Sequence, residues 1–289
     1  MKLLILIFLL SNILLAGKIE LEILGSGGPE IDGRASTSYL LWIDDEAKLI
    51  VDMGSGSLLR FEQSHAKIET LEAVVLTHLH IDHSVDLPAF IKAGYFSKRR
   101  QSLDIIAPYG NNSFPSINEF LVGLFGEHGV YRYMQDVLTP QSDSFQIIPI
   151  EIDSDTPVTK QYKSFTLTLI NVHHGSVPAL ALAIFVDGKK IVISGDTDDR
   201  NKNLEKLAKN ADLFIAHHAV PEHANNFAKT LHMSPSIIAK VAHISNVKQV
   251  VLTHRMNRTF FKEEKSLKII KRSYKGKVIF AEDRMKIKL

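Results

Sequence analysis

The sequence contains no cysteine. Disulfides, thiolate metal ligands and a cysteine-linked lipid anchor are therefore excluded, and only His, Asp and Glu remain to hold a metal. Charge of one sign is also lacking: 34 Lys and Arg stand against 32 Asp and Glu, a formal net charge of +2. A dedicated nucleic-acid binder usually carries a larger basic excess. The short runs Lys98-Arg99-Arg100 and Lys271-Arg272 read as solvated surface. No internal repeat or low-complexity linker divides the chain. Its 289 residues are enough for a large buried core, so residues 18–289 read as one α/β domain.

A long apolar run occurs only at the N-terminus, in MKLLILIFLLSNILLAGKIE. Lys2 precedes an apolar stretch from Leu3 to Ala16, broken by Ser11 and Asn12. The stretch is shorter than the ~20 residues a bilayer span needs. Small residues Ala16 and Gly17 follow it, although Leu14 stands where a cleavage motif prefers a small residue. Residues 1–17 are thus expected to be a secretory signal peptide. A periplasmic or secreted protein with no stable membrane span after cleavage is the corresponding expectation.

Short β-type runs alternate with turns over the rest of the chain. They include Ile19–Leu24, Thr37–Ile43, Lys48–Val51, Ala73–Leu76, Leu103–Ala107 and Phe145–Ile152. Further runs are Phe165–Val172, Leu180–Val186, Lys190–Ser194, Asp212–Ala216, Gln249–Thr253 and Lys277–Ala281. Helical spacing appears at Asn203–Lys209 and Ser234–Ile244, the latter with Pro235 in its first turn. The segment 111–143 reads as helix plus a covering loop.

What the chain does have is a crowd of ligand-type residues. VVLTHLHIDHSVDLP places His78, His80, Asp82 and His83 in six consecutive positions. They sit just past the C-terminal edge of a buried strand, where open α/β sheets place their sites. His78 and His80, two apart, face the same way on extended chain. Asp82 and His83 fall at the next helix start and point elsewhere, so adjacent metals sharing the cluster are the natural outcome. Imidazole with carboxylate suits Zn²⁺ first, then Fe or Mn. Other strand-end polar residues offer more ligands: His173-His174, Asp196 in VISGDTDD and His254 in VVLTH.

HLHIDH, the later His174, the Asp of SGDT and the His of LTH resemble the motifs of the metallo-β-lactamase fold hydrolases. VDMGSG, with Asp52, resembles that family's early strand-end aspartate, and LGSGGP resembles the opening loop of its ribonuclease Z-like branch. The resemblance spans roughly residues 19–288 and implies a four-layer αββα sandwich. It implies one metal on His78, His80 and His174, another on Asp82, His83 and His254, and Asp196 bridging the two. His174 is preferred to His173 because His174-Gly175 followed by Pro178 fits the family pattern. Asp52 would orient a ligand histidine from behind.

Two Zn²⁺ ions in such a site lower the pKa of a shared water, so that hydroxide forms near neutral pH. Asp82 would hold that hydroxide and accept its proton. His232 would assist the leaving group, as a similar histidine does in the ribonuclease Z branch. That branch also has a His-Glu-Ala-Thr loop; here Ala216-His217-His218-Ala219 takes its place, with His218 where the acid would stand. Arg34 in the opening loop is a further anion-binding possibility. Phe96, Phe125, Tyr131 and Tyr133 would offer an apolar wall.

The resemblance also implies a long tRNA-gripping arm for ribonuclease Z between the third and fourth motifs. Here His174 and Asp196 are 22 positions apart, and the gap reads as two strands joined at Asp187-Gly188. tRNA is therefore not expected as a partner. GSGGPEIDGRASTSYL and HGSVPALALAI look more like the secreted arylsulfatase-like group. The expectation is a hydrolase of small sulfate or phosphate esters, with homodimerisation compatible. The alternative is a ribonuclease Z-type phosphodiesterase or nuclease. A non-catalytic metal-binding protein is the rival from another class.

Overall fold

The computed structural model describes residues 17–289. The expected signal peptide therefore lies outside the described residues, apart from Gly17. None of the described helices is long and apolar enough to cross a membrane.

The apolar runs build two sheets of seven strands among the described residues. The first takes β1 (Ile19–Gly25), β2 (Ser38–Ile43), β3 (Glu46–Val51), β4 (Ala73–Val75), β5 (Leu103–Pro108) and β6 (Ile147–Ile152). The second takes β7 (Val158–Gln161), β8 (Thr166–His174), β9 (Val177–Val186), β10 (Lys189–Ile193), β11 (Leu213–His217), β12 (Gln249–Thr253) and β13 (Lys277–Phe280). The last strand, β14 (Met285–Lys288), returns to the first sheet and pairs antiparallel with β1. Strands β3 to β6 run parallel, as do β10 to β13. Parallel strands are covered on both faces, which is why their sequences are nearly unbroken Val, Ile and Leu.

One apolar cluster fills the space between the sheets, with Leu21, Leu41, Val75, Leu182, Ile215 and Val251. On the outer face of the first sheet lie α1 (Ser57–Gln63), α3 (Leu87–Tyr95) and α4 (Ile117–Phe125), while the short α2 (Ile81–Ser84) follows the end of β4. Phe61, Phe90 and Phe125 seal that layer. On the outer face of the second lie α5 (Asn203–Leu207), α7 (Pro235–Ile244) and α8 (Glu263–Ser273), and the short α6 (Asn226–Lys229) precedes α7. Leu204, Ile238 and Ile270 seal that side. Each fully buried Leu, Ile or Phe contributes about 1.5–3 kcal/mol. The result is the expected αββα sandwich.

Local chemistry explains the helix starts. Ser116 accepts from the backbone N–H of Glu119 and Glu119 accepts from that of Ser116, a reciprocal cap on α4. α7 begins at Pro235, whose missing N–H costs nothing in the first turn. The segment 111–143 is α4 followed by a 3₁₀ stretch at Arg132–Leu138. The expected helix at 203–209 stops at Leu207.

Between β9 and β10, Asp187 and Gly188 both have positive φ, 46° and 74°. Val186 pairs directly with Lys189. This is a two-residue hairpin turn of the type that matches strand twist, and it leaves no inserted segment between His174 and Asp196.

Candidate active site

The functional side chains gather where the parallel strands of both sheets end. Asp52 follows β3, Thr77 to His80 follow β4, and His83 lies in α2. From the second sheet, β8 ends on His174, Asp196 follows β10, β11 ends on His217 and His254 follows β12. His254 and Asp52 adopt left-handed backbone, φ 51° and 62°. Asp and His tolerate that region better than most residues, and such strain collects at functional sites. Gly195, at φ 57°, precedes Asp196 where a Cβ would come within 2.5 Å of the Leu180 carbonyl oxygen. Only glycine lets the chain turn there.

The Asp196 carboxylate is the centre. Its Oδ2 lies 3.8 Å from His78 Nε2, 3.7 Å from His174 Nε2 and 3.6 Å from His83 Nε2. Its Oδ1 lies 3.7 Å from His254 Nε2, 3.5 Å from His232 Nδ1 and 2.7 Å from His217 Nδ1. Two donor groups result: His78, His80, His174 and Asp196, and His83, Asp196, His217 and His254. Within each group the donor atoms lie within 4.8 Å of one another. Asp82 stands at the edge of the second, its Oδ2 3.7 Å from His83 Nε2 and 3.9 Å from His254 Nε2.

Four histidines turn Nδ1 outward to a fixed partner. His78 meets Thr77 Oγ1 at 3.2 Å, His83 meets Asp52 Oδ2 at 2.9 Å, His174 meets the Leu231 carbonyl at 2.8 Å, and His254 meets Thr37 Oγ1 at 2.5 Å. These contacts fix the tautomer and leave Nε2 facing the centre. The Nε2 atoms of His83 and His174 are buried without a hydrogen-bond partner. An unsatisfied buried polar atom costs about 1–3 kcal/mol, and a cation accepting the lone pair removes that cost. Nε2 of His78 and Nδ1 of His80 face each other at 3.0 Å, another pairing that a shared ion accounts for.

For His78, His80, His174 and His254 protonation agrees with that use, because a ligand imidazole must be neutral. Burial pushes His78 and His254 well below their usual range and His174 down to about 4. Burial lowers His80 as well. For His83 burial also acts downward, but the Asp52 and Asp196 carboxylates outweigh it and raise it. For Asp196 burial acts upward, and the surrounding His254, His232 and His217 hold it well below the usual carboxylate range. The donor set therefore fits a metal.

The other expected residues divide. His232 comes to the centre: its ring lies 5.4 Å from that of His174 and 5.7 Å from that of His254, and its buried Nδ1 makes no hydrogen bond. His173 instead pairs with Asp198 at 2.9 Å. Arg34 is already committed, pairing with Asp32, donating to the Arg255 carbonyl at 2.6 Å and lying over Phe260. Phe125 is core rather than wall, whereas Phe96, Tyr131 and Tyr133 are exposed. The opening loop does reach the site: a Cβ on Gly28 would lie 3.4 Å from His254 Nε2. His218, expected where an acid would stand, packs its ring beside Phe280 with Arg255 as the charge acting on it. The neighbouring His217 is the residue brought into the centre, and it was not among the expected ligands. It satisfies the same criterion as the others, a polar residue closing a buried strand.

The metallo-β-lactamase fold protein YhfI from Bacillus subtilis superposes with a TM-score of 0.73 at 21% identity, covering 94% of this chain and 100% of that one. The short form of human tRNase Z superposes with a TM-score of 0.68 at 22% identity, covering 93% and 98%. Ribonuclease Z of Listeria monocytogenes is 27% identical over 275 residues, covering 83% of this chain and 89% of that one. Fold, relatives and donor set together define a metal-dependent hydrolase of the metallo-β-lactamase fold, acting on ester bonds. A family model described as anti-Pycsar protein Apyc1 matches residues 19–254, and the chain belongs to that family.

Proposed function

We propose that this chain is a phosphodiesterase of the ribonuclease Z type. One cation would be held by His78, His80 and His174, a second by Asp82, His83 and His254, with Asp196 between them. Zn²⁺ suits these donors, and Mn or Fe is compatible. The single observation carrying the reading is the Asp196 carboxylate, with Oδ2 facing His78 and His174 and Oδ1 facing His254. When bound, such cations polarise an ester and make a water nucleophilic near neutral pH.

The chain's own residues supply the rest. Asp82, at the rim of the second donor group, would orient the attacking water and take its proton. His232, buried with Nδ1 unpartnered, would give a proton to the leaving oxygen. Gly28, bare of side chain against His254, keeps room for the substrate beside the centre.

Similarity to ribonuclease Z over most of the chain favours phosphodiesters over the sulfate esters implied by the opening-loop resemblance. The tight Asp187-Gly188 turn favours phosphodiesters that need no gripping arm over tRNA. A location outside the cytoplasm remains part of the proposal, resting on the Leu3–Ala16 run. Metal-loaded protein offered a bis-aryl phosphate, an aryl sulfate and a tRNA precursor tests the reading. Cleavage of the bis-aryl phosphate ahead of the other two is expected. Cleavage of the sulfate alone would overturn it.

A further inference from the structure

We propose that Tyr39 and His217 form a positioning pair that orients the Asp196 carboxylate, and that His217 is not a metal ligand. The inference rests on the reading of the donor cluster as a cation site.

By distance alone His217 qualifies as a ligand, since it lies in one group with His83, Asp196 and His254. Its hydrogen bonds decide otherwise. Nδ1 of His217 lies 2.7 Å from Asp196 Oδ1, and Nε2 lies 2.8 Å from the Tyr39 hydroxyl. Both ring nitrogens are engaged. His83 and His174, by contrast, each keep a buried Nε2 with no partner at all. A histidine with no spare lone pair has nothing to give a cation.

The direction of the two bonds follows from the donor inventory. The Asp196 carboxylate only accepts, so Nδ1 of His217 carries the hydrogen. In the neutral imidazole Nε2 then accepts, and the Tyr39 hydroxyl donates to it. Burial pushes the Tyr39 phenol well above its usual range, so the hydroxyl keeps its proton. Thr253 Oγ1, 3.4 Å from the Tyr39 hydroxyl, is too distant to compete strongly.

The pair also explains a connection across the fold. Tyr39 lies on β2 of the first sheet and is fully buried. His217 ends β11 of the second, with its ring stacked 4.9 Å from that of His254 at 14°. The hydroxyl of one sheet therefore fixes the imidazole of the other. That imidazole leaves Oδ2 of Asp196 turned to His78 and His174. Partners of this kind are worth roughly 10–100-fold in metal affinity.

The test uses the full chain, stripped of metal, as wild type and as Tyr39→Phe, His217→Ala and His217→Asn. Zn²⁺ affinity is measured by competition with a chelator, and the Co²⁺-loaded forms are compared by visible absorption. Tyr39→Phe and His217→Ala should each weaken metal binding about 10–100-fold. His217→Asn, whose amide N–H can reach Asp196 as Nδ1–H does, should recover most of it. All variants should keep the wild-type Co²⁺ ligand-field bands. Unchanged affinity in both Tyr39→Phe and His217→Ala would overturn the positioning role. A His217→Asn variant as weak as His217→Ala, with bands showing a lost nitrogen ligand, would make His217 a ligand and overturn the inference while leaving the cation site standing. Wild-type protein that takes up no metal would overturn both.

Discussion

The Asp52 carboxylate accepts a hydrogen bond from Nδ1 of His83 at 2.9 Å, and both side chains are fully buried. Asp52 also accepts from the backbone N–H of Thr77 at 2.7 Å and from its hydroxyl at 2.9 Å. The carboxylate thus ties the end of β3 to the end of β4 and aims His83 at the centre. Asp52→Asn keeps the shape but removes the charge opposite Nδ1. Metal affinity should fall about 10–100-fold, measured by chelator competition. Unchanged affinity would mean that His83 is held by packing alone.

Asp82 touches the second donor group only at its edge, and the first group does not include it. Asp82→Ala should abolish turnover while at least one metal per chain is retained. Elemental analysis alongside steady-state rates reads both quantities. A wild-type rate would remove Asp82 from the reaction.

His232 should matter in proportion to the basicity of the leaving group. His232→Gln should slow hydrolysis of an alkyl phosphodiester by about 10²–10⁴-fold, the usual worth of a general acid. Release of p-nitrophenolate, which leaves without a proton, should change little. Equal losses on both substrates would argue for a role in holding Asp196 instead.

His218 makes the fold sensitive to acid. Burial, with the Arg255 charge added, pushes it from 6.5 down to about 4. Neither ring nitrogen has a hydrogen-bond partner. Between those two values the unfolded chain binds the proton and the folded chain does not, so stability is full above pH 6.5 and is lost as pH falls towards 4. Thermal melts of metal-free protein across that range should show the decline, and His218→Phe should flatten part of it. An identical acid slope in the variant would assign the effect to other groups.

Much of this was readable in advance, for a physical reason. Buried parallel strands must be apolar on both faces, so β3, β4, β10, β11 and β12 stand out as runs, each closed by a polar residue at or near its end. The edge strands β7 and β14 carry alternating exposed residues such as Thr159 and Lys286, which blend into loops. α8 escapes notice because its sequence, EEKSLKIIKRS, buries only Ser266 and Ile270. α3 and α4 carried usable signals in Pro88 and in the Ser116–Glu119 pair. His217 was equally legible as the last residue of LFIAH, but its neighbour His218 drew the comparison with the ribonuclease Z loop. Tyr39 was not legible. It is one aromatic in an apolar strand, and its partner stands 178 positions away in the other sheet.

The most direct test is one preparation assayed twice, for metal content and for turnover of a bis-aryl phosphate beside an aryl sulfate. A paired-cation phosphodiesterase should hold two divalent ions per chain and cleave the phosphodiester faster than the sulfate. Full metal occupancy with no cleavage of the phosphodiester would contradict it.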